Sequence, residues 1–203
     1  MPELHGTPRD ATPAPLSPAP LSPAPLAFAG GDVTPLTAAD YRAAAQALGC
    51  DLPAIQAVAE VEAAGSGFFR DGRPKILFEA HLFSRLTKRR FDATHPAISS
   101  PKWNRALYRR GPAEYERLAD AIALDRRAAL MSASWGKFQI LGMHYERCGH
   151  PTADAFVEAQ CASERRQLEA FVRFICADAT LHGALVARRW ADFAFRYNGA
   201  GYK

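Results

Sequence analysis

A proline-rich stretch near the N-terminus divides the chain into two parts with different capacities to fold. From Ala11 to Gly31 the sequence consists of imperfect copies of APLSP and contains no charged residue. Because proline fixes φ and lacks the amide hydrogen that helices and sheets need, this stretch favours an extended tether. We predict a disordered Pro/Ala-rich leader at residues 1–33, either a plain spacer or the remaining linker of a binding module, and one folded domain at residues 34–203.

Size and charge restrict the function classes only weakly. A chain of 203 residues with 48% hydrophobic residues can bury one good core. The formal net charge of +4 suits a polyanionic partner without identifying it. The basic residues occur as scattered pairs, which are more typical of solvated helix faces than of a nucleic-acid groove. We therefore expect no nucleic-acid partner.

The cysteines and the apolar runs exclude two further classes. Cys50, Cys148, Cys161 and Cys176 show no CxxC spacing and no paired histidines, so no metal site is expected. They are predicted to be mostly buried thiols, with a Cys161–Cys176 disulfide left open. No apolar run reaches the roughly 18 residues of a membrane span, and the N-terminus lacks the pattern of a signal peptide. We expect synthesis in the cytoplasm without stable membrane insertion.

The pattern of the folded part is mostly that of helices. Thr37 and Asp40 form a capping-box pattern for a first helix that ends at Gly49, and Asp51 can cap a second helix that ends at Gly65. A DG turn between short apolar stretches in residues 68–81 predicts a small β-hairpin. Further helices are predicted near residues 78–87, 112–131, 134–147, 153–161, 163–179 and 184–197.

Glu62 lies on the apolar face of the predicted second helix. With Ile55 at the centre of this face, Val58 and Ala59 lie within about 60° of it at about 100° per residue. Glu62 lies there too, whereas Glu60 is on the opposite side. A carboxyl group on a buried face loses hydration, which favours the protonated form that a general acid needs. Position alone also permits a core glutamate that pairs with an arginine.

Two further acids are candidates for a second catalytic group. Glu79 shares a helical face with apolar residues of the 78–87 segment, and Asp71 lies in the DG turn, where backbone geometry alone would explain it. Glycoside cleavage commonly uses two carboxyl groups, of which one donates a proton to the leaving oxygen and the other is a nucleophile or base. The sequence offers Asp71 and Glu79 as equal candidates for the second role.

Three stretches of the chain resemble a known family. They are residues 36–87, residues 132–145 (SASWGKFQILGMHY) and residues 195–202 (FRYNGAGY). From about residue 34 to the end, the chain resembles the N-acetylmuramidase domain family of modular phage and prophage endolysins. More loosely, the order of these motifs is similar to that of the lysozyme superfamily, as in goose-type lysozymes and soluble lytic transglycosylases.

The resemblance implies a mainly α, lysozyme-like helical domain in which Glu62 is the catalytic acid, and it implies no cofactor. It also implies a saccharide cleft whose glutamine and asparagine amides bond to acetamido or hydroxyl groups and whose tyrosine packs on a sugar face. The residues implied to line it are Ser134, Gly136, Gln139, Tyr197 and Asn198. Without the resemblance, Gln139 is equally well explained as a helix cap and the YNG turn as a helix end.

These observations predict a monomeric, bacteriolytic peptidoglycan hydrolase. It is expected to act on the cell wall in the periplasm, cleaving the β-1,4 bond between N-acetylmuramic acid and N-acetylglucosamine, as a phage or prophage endolysin does. Relatives continue beyond YNGxGY into a further helix, which leaves open a truncation of the domain at its C-terminus. Two alternatives remain: a lytic transglycosylase, in which the muramyl 6-hydroxyl attacks and no second acid is needed, and an inactive peptidoglycan-binding domain.

Overall fold

The computed structural model describes residues 28–62 and 65–199, with the side chains of residues 60–62 outside this description. The described part is mainly α with one small antiparallel sheet, as predicted. Its helices are α1 (Ala38–Leu48), α2 (Leu52–Glu62), α3 (Ala80–Leu86), α4 (Glu114–Met131), α5 (Ala153–Ala162), α6 (Glu164–Cys176), α7 (Ala179–Val186) and α8 (Trp190–Asn198). Its strands are β1 (Ile76–Phe78), β2 (Ala133–Trp135) and β3 (Ile140–Leu141).

The first two helices begin where the sequence predicts them. Thr37 and Asp40 form the capping box of α1, and Gly49 ends that helix in the left-handed conformation with φ of 61°. The carboxylate of Asp51 accepts a hydrogen bond from the amide of Ala54 in the first turn of α2. Local side-chain chemistry therefore determines these helix ends.

The sheet differs from the predicted local hairpin. A single antiparallel bridge joins Phe68 to Pro74 across the DG turn, but strand β1 itself pairs with β2, in the order β1-β2-β3. The register places Leu77 opposite Ser134, and Ser134 opposite Leu141. The helix predicted near residues 134–147 is therefore wrong: this segment forms β2, a tight turn, β3 and a short 3-10 helix at Gly142–His144.

Helix α4 lies at the centre of the packing. It contacts β1, β2, α3 and α5, while α6 packs against α1, α5 and α7. The core between these elements is rich in aromatic rings, including the fully buried side chains of Trp135, Phe156 and Phe171. The helix predicted near residues 184–197 is two helices, α7 and α8, which pack against each other. The chain turns between them at Arg188, whose φ is 53°.

The segment that precedes α1 packs onto the domain. Residues 1–27 of the predicted leader lie outside the described residues. Within residues 28–33, the ring of Phe28 lies 5.3 Å from that of Tyr115 and 6.0 Å from that of Trp135, centroid to centroid. The amide of Asp32 donates a hydrogen bond to the carbonyl of Ala162. Aromatic packing therefore fixes the chain from Phe28 onward, somewhat before residue 34.

The four cysteines are unpaired in the structure. Cys148 and Cys161 are buried, Cys50 is half-buried, and Cys176 is exposed; all four are free thiols, so Cys161 and Cys176 do not pair. Burial raises the pKa of Cys161 to about 12. Among the described residues, no helix is both long enough and apolar enough to cross a bilayer.

Candidate functional site

An open cleft of about 320 Å³ lies between the start of α3, the β2–β3 turn and the end of α8. Its lining combines carboxylate, hydroxyl, amide and imidazole groups with apolar side chains, a mixture suited to a polar ligand with apolar faces. The lining residues are Glu79, His81, Leu82, Ser134, Phe138, Gln139, Ile140, Leu141, His144, Phe174, Tyr197 and Asn198. One predicted acid and four of the five predicted cleft residues therefore come together.

Glu79 supplies the carboxylate of this cleft. It occupies the N-cap position of α3 without capping the helix, because its side chain makes no bond to the helix amides. One carboxylate oxygen instead accepts a hydrogen bond of 2.5 Å from the hydroxyl of Tyr108 and lies 3.2 Å from Nδ1 of His81. With 17% of the side chain exposed, Glu79 is oriented by the protein but remains accessible to a ligand.

Tyr108 and the two histidines were not predicted from the sequence. Burial and the neighbouring Glu79 raise the pKa of the Tyr108 phenol, so it stays protonated and donates to the carboxylate. Burial lowers the pKa of His144, which keeps this cleft imidazole neutral at pH 7. Of these residues, only His81 could have been found from the sequence, because it follows Glu79 by two positions. Tyr108 is distant from Glu79 in the sequence, and only the fold brings it to the site.

The β2–β3 turn is held by Ser134 and Gln139. The hydroxyl of Ser134 donates to Oε1 of Gln139 at 3.0 Å, and Nε2 of Gln139 donates to the carbonyls of Gly136 and Lys75. Gln139 itself adopts a left-handed backbone with φ of 48°. Strained backbone of this type persists where surrounding contacts enforce it, and it concentrates at ligand sites. In this conformation the side-chain amide of Gln139 stabilises the turn with both its nitrogen and its oxygen.

Gly136 lies on the side of the turn that faces the interior. It has φ of 69°, and its amide donates to the carbonyl of Lys75. A Cβ at this position would lie 2.6 Å from the side chain of Gln167 and 2.7 Å from that of Gln160. The structure therefore places Gly136 behind the cleft, whose lining it does not join, and its glycine is required by backbone conformation and packing.

Replacing Gly136 by alanine is expected to destabilise the fold rather than to remove a ligand contact. The left-handed φ costs about 1–2 kcal/mol for a residue with a Cβ, and the overlap with two buried amides adds about 1–3 kcal/mol. Gly72→Ala is the matched control, because Gly72 has a similar φ of 78° but no atom near its would-be Cβ. Denaturant unfolding of both variants would measure the difference, and equal losses would contradict the packing argument.

The end of α8 closes the cleft with Tyr197 and Asn198. The hydroxyl of Tyr197 donates to the carbonyl of Phe138 at 2.7 Å, which ties α8 to the β2–β3 turn. Its ring is stacked on Phe193 and meets the rings of Phe171 and Phe174 edge to face. Much of the Tyr197 ring is therefore used for packing within the protein, while the residue also lines the cleft.

Asp71 lies apart from this cleft, on the turn that precedes β1. Its carboxylate accepts hydrogen bonds from the amide, Nε and Nη2 of Arg73, and 41% of the side chain is exposed. The hydrogen bond from Arg73 lowers the pKa of Asp71. Since Glu79 directly follows the other end of β1, the two candidates for the second acid occupy opposite ends of that strand.

Glu62 is the last residue of α2. The positions three, four and seven residues before it, Ala59, Val58 and Ile55, are all buried, as the helical-face argument predicts. Shortly after it, the carbonyl of Gly65 accepts a hydrogen bond from Nζ of Lys137, a neighbour of the cleft residue Phe138. The segment that follows α2 therefore contacts the β2–β3 turn at Gly65.

A buried ion pair fixes the loop that carries Tyr108. Glu114 is fully buried beside Arg117, and the two side chains lie 2.9 Å apart. The other oxygen of Glu114 accepts hydrogen bonds from the amides of Arg109 and Arg110, while Arg117 donates to the carbonyls of Phe78 and Ala97. The Glu114–Arg117 pair thus connects Arg109, which follows Tyr108, to Phe78, which precedes Glu79.

Comparison with known sequences decides the family. The sequence profile of N-acetylmuramidase matches residues 51–203, three quarters of the chain. The chain belongs to the N-acetylmuramidase family. The match includes all three stretches on which the sequence resemblance was based, apart from the residues before Asp51.

A solved structure is similar to this N-acetylmuramidase chain. It is the crystal structure of a Burkholderia AP3 phage endolysin, with a TM-score of 0.78 and 46% sequence identity. The similarity covers 82% of this chain and 64% of the endolysin, so the chain spans about two thirds of that protein's length. No curated protein matches the chain. The predicted family and the mainly α, lysozyme-like fold are therefore confirmed.

Proposed function

We propose that this chain is a muramidase that hydrolyses the β-1,4 bond between N-acetylmuramic acid and N-acetylglucosamine, and that it acts as a phage or prophage endolysin. The observation that carries the proposal is the cleft itself, where Glu79 faces Ser134, Gln139, Tyr197 and Asn198. These residues come from three distant parts of an N-acetylmuramidase chain. Glycoside hydrolysis needs a carboxylate among polar groups that can hold a sugar ring, and the cleft offers both.

Glu62 is the proposed proton donor. Its place in the sequence, at helical spacing from the buried Ile55, Val58 and Ala59, predicts a carboxyl group on the inner face of α2. A carboxyl group with reduced hydration favours the neutral form, which can donate a proton to the glycosidic oxygen. Departure of the leaving sugar develops positive charge on the muramyl ring, as an oxocarbenium-like transition state. A second, ionised carboxylate near that ring stabilises the charge or activates a water molecule.

Glu79 fits the second role better than Asp71. Glu79 lies in the cleft, where the Tyr108 hydroxyl and the His81 ring orient its carboxylate. Asp71 is outside the cleft lining and is engaged by Arg73 in its own turn. Since electrostatic stabilisation of a transition state requires proximity to the developing charge, we assign this role to Glu79.

Glu79→Gln is expected to lower the rate of glycan hydrolysis about a hundredfold, the loss typical of removing one electrostatic contact to a transition state. Asp71→Asn is the matched control and is expected to retain a rate close to that of the wild type. Release of reducing ends from soluble glycan strands would measure both. The reverse order of activities would transfer the second role to Asp71.

Product analysis tests the function as a whole. Purified peptidoglycan is incubated with the protein, and the soluble muropeptides are identified by mass spectrometry. Reducing muramic acid ends are the expected product, since water is the proposed acceptor. Products with 1,6-anhydromuramic acid would instead establish a lytic transglycosylase, and binding to peptidoglycan without any release would establish an inactive wall-binding domain.

We further propose that the protein acts as a monomer on peptidoglycan in the periplasm, with no cofactor. All the lining residues of the cleft belong to one chain, which supports the monomer. Light scattering of the purified protein, together with an activity assay in the presence of a chelator, tests both points. A dimer would contradict the first, and loss of activity with the chelator would contradict the second.

A further inference from the structure

The loop that precedes α4 exposes a large aromatic side chain beside the cleft. Trp103 is 60% exposed, whereas Trp135 is fully buried in the core. An exposed aromatic ring offers a flat apolar face on which a sugar ring can stack.

Two contacts in series connect Trp103 to Glu79. The rings of Trp103 and Tyr108 lie 6.3 Å apart between centroids at an angle of 55°. That phenol donates to the carboxylate of Glu79. The exposed indole is thus one aromatic ring away from the cleft carboxylate, within the length of a short oligosaccharide.

The same loop carries an excess of positive charge. Residues 101–110 contain Lys102, Arg105, Arg109 and Arg110 and no carboxylate, and all four cationic residues are exposed. Arg109 forms an ion pair with Glu116. A surface that presents an aromatic ring among several cations is suited to a ligand with an apolar face and negative charges.

We propose that residues 101–110 form an additional subsite for the peptidoglycan strand, in which Trp103 stacks on a sugar ring beyond Glu79. Lys102 and Arg105 then meet the carboxylates of the acidic peptide stem that muramic acid carries. This inference rests on the proposed function, because it assumes a glycan strand in the cleft. Such a subsite makes the chain selective for long, peptide-bearing glycan strands over short or neutral ones.

Tryptophan fluorescence measures this binding without any need for catalysis. The chain has three tryptophans, Trp103, Trp135 and Trp190, so Trp190→Phe leaves Trp103 as the one exposed indole. Peptide-bearing tetrasaccharide muropeptides and neutral chitotetraose are titrated into this variant while acrylamide quenching is followed. We expect both saccharides to protect the indole from quenching.

Calorimetry on single variants then assigns the affinity to its residues. Trp103→Ala is expected to raise the Kd of both saccharides roughly tenfold, the loss typical of removing an aromatic contact residue. Trp190→Phe, at a tryptophan that is 42% exposed, is the matched control with unchanged Kd. Lys102→Gln combined with Arg105→Gln is expected to weaken only the peptide-bearing saccharide, so chitotetraose is the internal control for folding.

The possible failures of the two proposals are distinguishable. Hydrolysis of peptidoglycan with no change of Kd in Trp103→Ala would overturn the subsite and leave the enzyme intact. Protection of Trp103 by saccharides without any hydrolysis would support the subsite and overturn the muramidase assignment. Equal protection of Trp103 by a single-stranded oligothymidylate would overturn the saccharide assignment in favour of a nucleic-acid ligand.

Discussion

Replacing Glu62 by glutamine is expected to lower the rate of peptidoglycan hydrolysis by about 10²- to 10⁴-fold, the contribution of a positioned general acid. Glutamine has nearly the same shape, so substrate binding and the fold are expected to persist. The basis is the buried face of α2, on which Ile55, Val58 and Ala59 precede Glu62 at helical spacing. The assay compares released reducing ends with the amount of protein bound to sedimented peptidoglycan.

Glu60→Gln is the matched control for that experiment. Glu60 belongs to the same helix, but the helical wheel places it on the opposite side from Glu62. Its rate is therefore expected to stay at the wild-type level. Equal losses in the two variants, or full activity of Glu62→Gln, would show that another residue donates the proton.

Replacing Glu114 by alanine is expected to cost about 3–5 kcal/mol of the free energy of unfolding, because it leaves a buried arginine without a counter-charge. Arg117 is 2% exposed and cannot regain hydration without breaking the core around Phe78. The amides of Arg109 and Arg110 also lose their acceptor. Urea unfolding followed by circular dichroism measures the loss.

Glu116→Ala controls for the removal of a glutamate from the same helix. Glu116 pairs with Arg109, but 66% of its side chain is exposed, so the loss is expected to be below about 1 kcal/mol. A loss in Glu114→Ala as small as that would mean that water enters and solvates Arg117. The Glu114–Arg117 pair also fixes the loop after Tyr108. In Glu114→Ala, hydrolytic activity is therefore expected to fall at urea concentrations below those that unfold the domain.

The predictions that were confirmed depend on local chemistry. The capping box of Thr37 and Asp40 and the left-handed Gly49 limit α1 through contacts within a few residues. The buried face of α2 likewise follows from helical spacing alone. Such features are contained in a short stretch of sequence, so they can be recognised without knowledge of the rest of the fold.

The sheet could not be predicted in this way, because its pairing is not local. In residues 133–141, Trp135, Phe138 and Ile140 are all buried, and their spacing also fits an interrupted helix. The segment forms two strands because β1, far earlier in the chain, pairs with β2 along the edge that contains Ser134. Only the tertiary fold supplies that partner, and it forces Gly136 and Gln139 into left-handed conformations.

The site was predictable to the extent that its residues lie in family motifs. Ser134, Gln139, Tyr197 and Asn198 were proposed from such motifs, and they line one cleft together with Glu79, which was proposed from its helical face. Tyr108 was not proposed, because it lies in a loop whose position depends on the buried Glu114–Arg117 pair. An i,i+3 acid–base pair in a sequence usually indicates a solvent-exposed helix surface. Glu114 and Arg117 have this spacing but are buried, so the sequence pattern alone predicts the wrong environment for them.

The cleft is assembled from the start of α3, the β2–β3 turn and the end of α8, and so from positions far apart along the chain. Contacts between such distant segments form late in folding, because the entropy of loop closure opposes them. A nascent chain whose α8 is still inside the ribosome has already produced both proposed catalytic glutamates but lacks the Tyr197–Asn198 wall of the cleft. The cleft is therefore complete only after α8 has left the ribosome and packed against the β2–β3 turn.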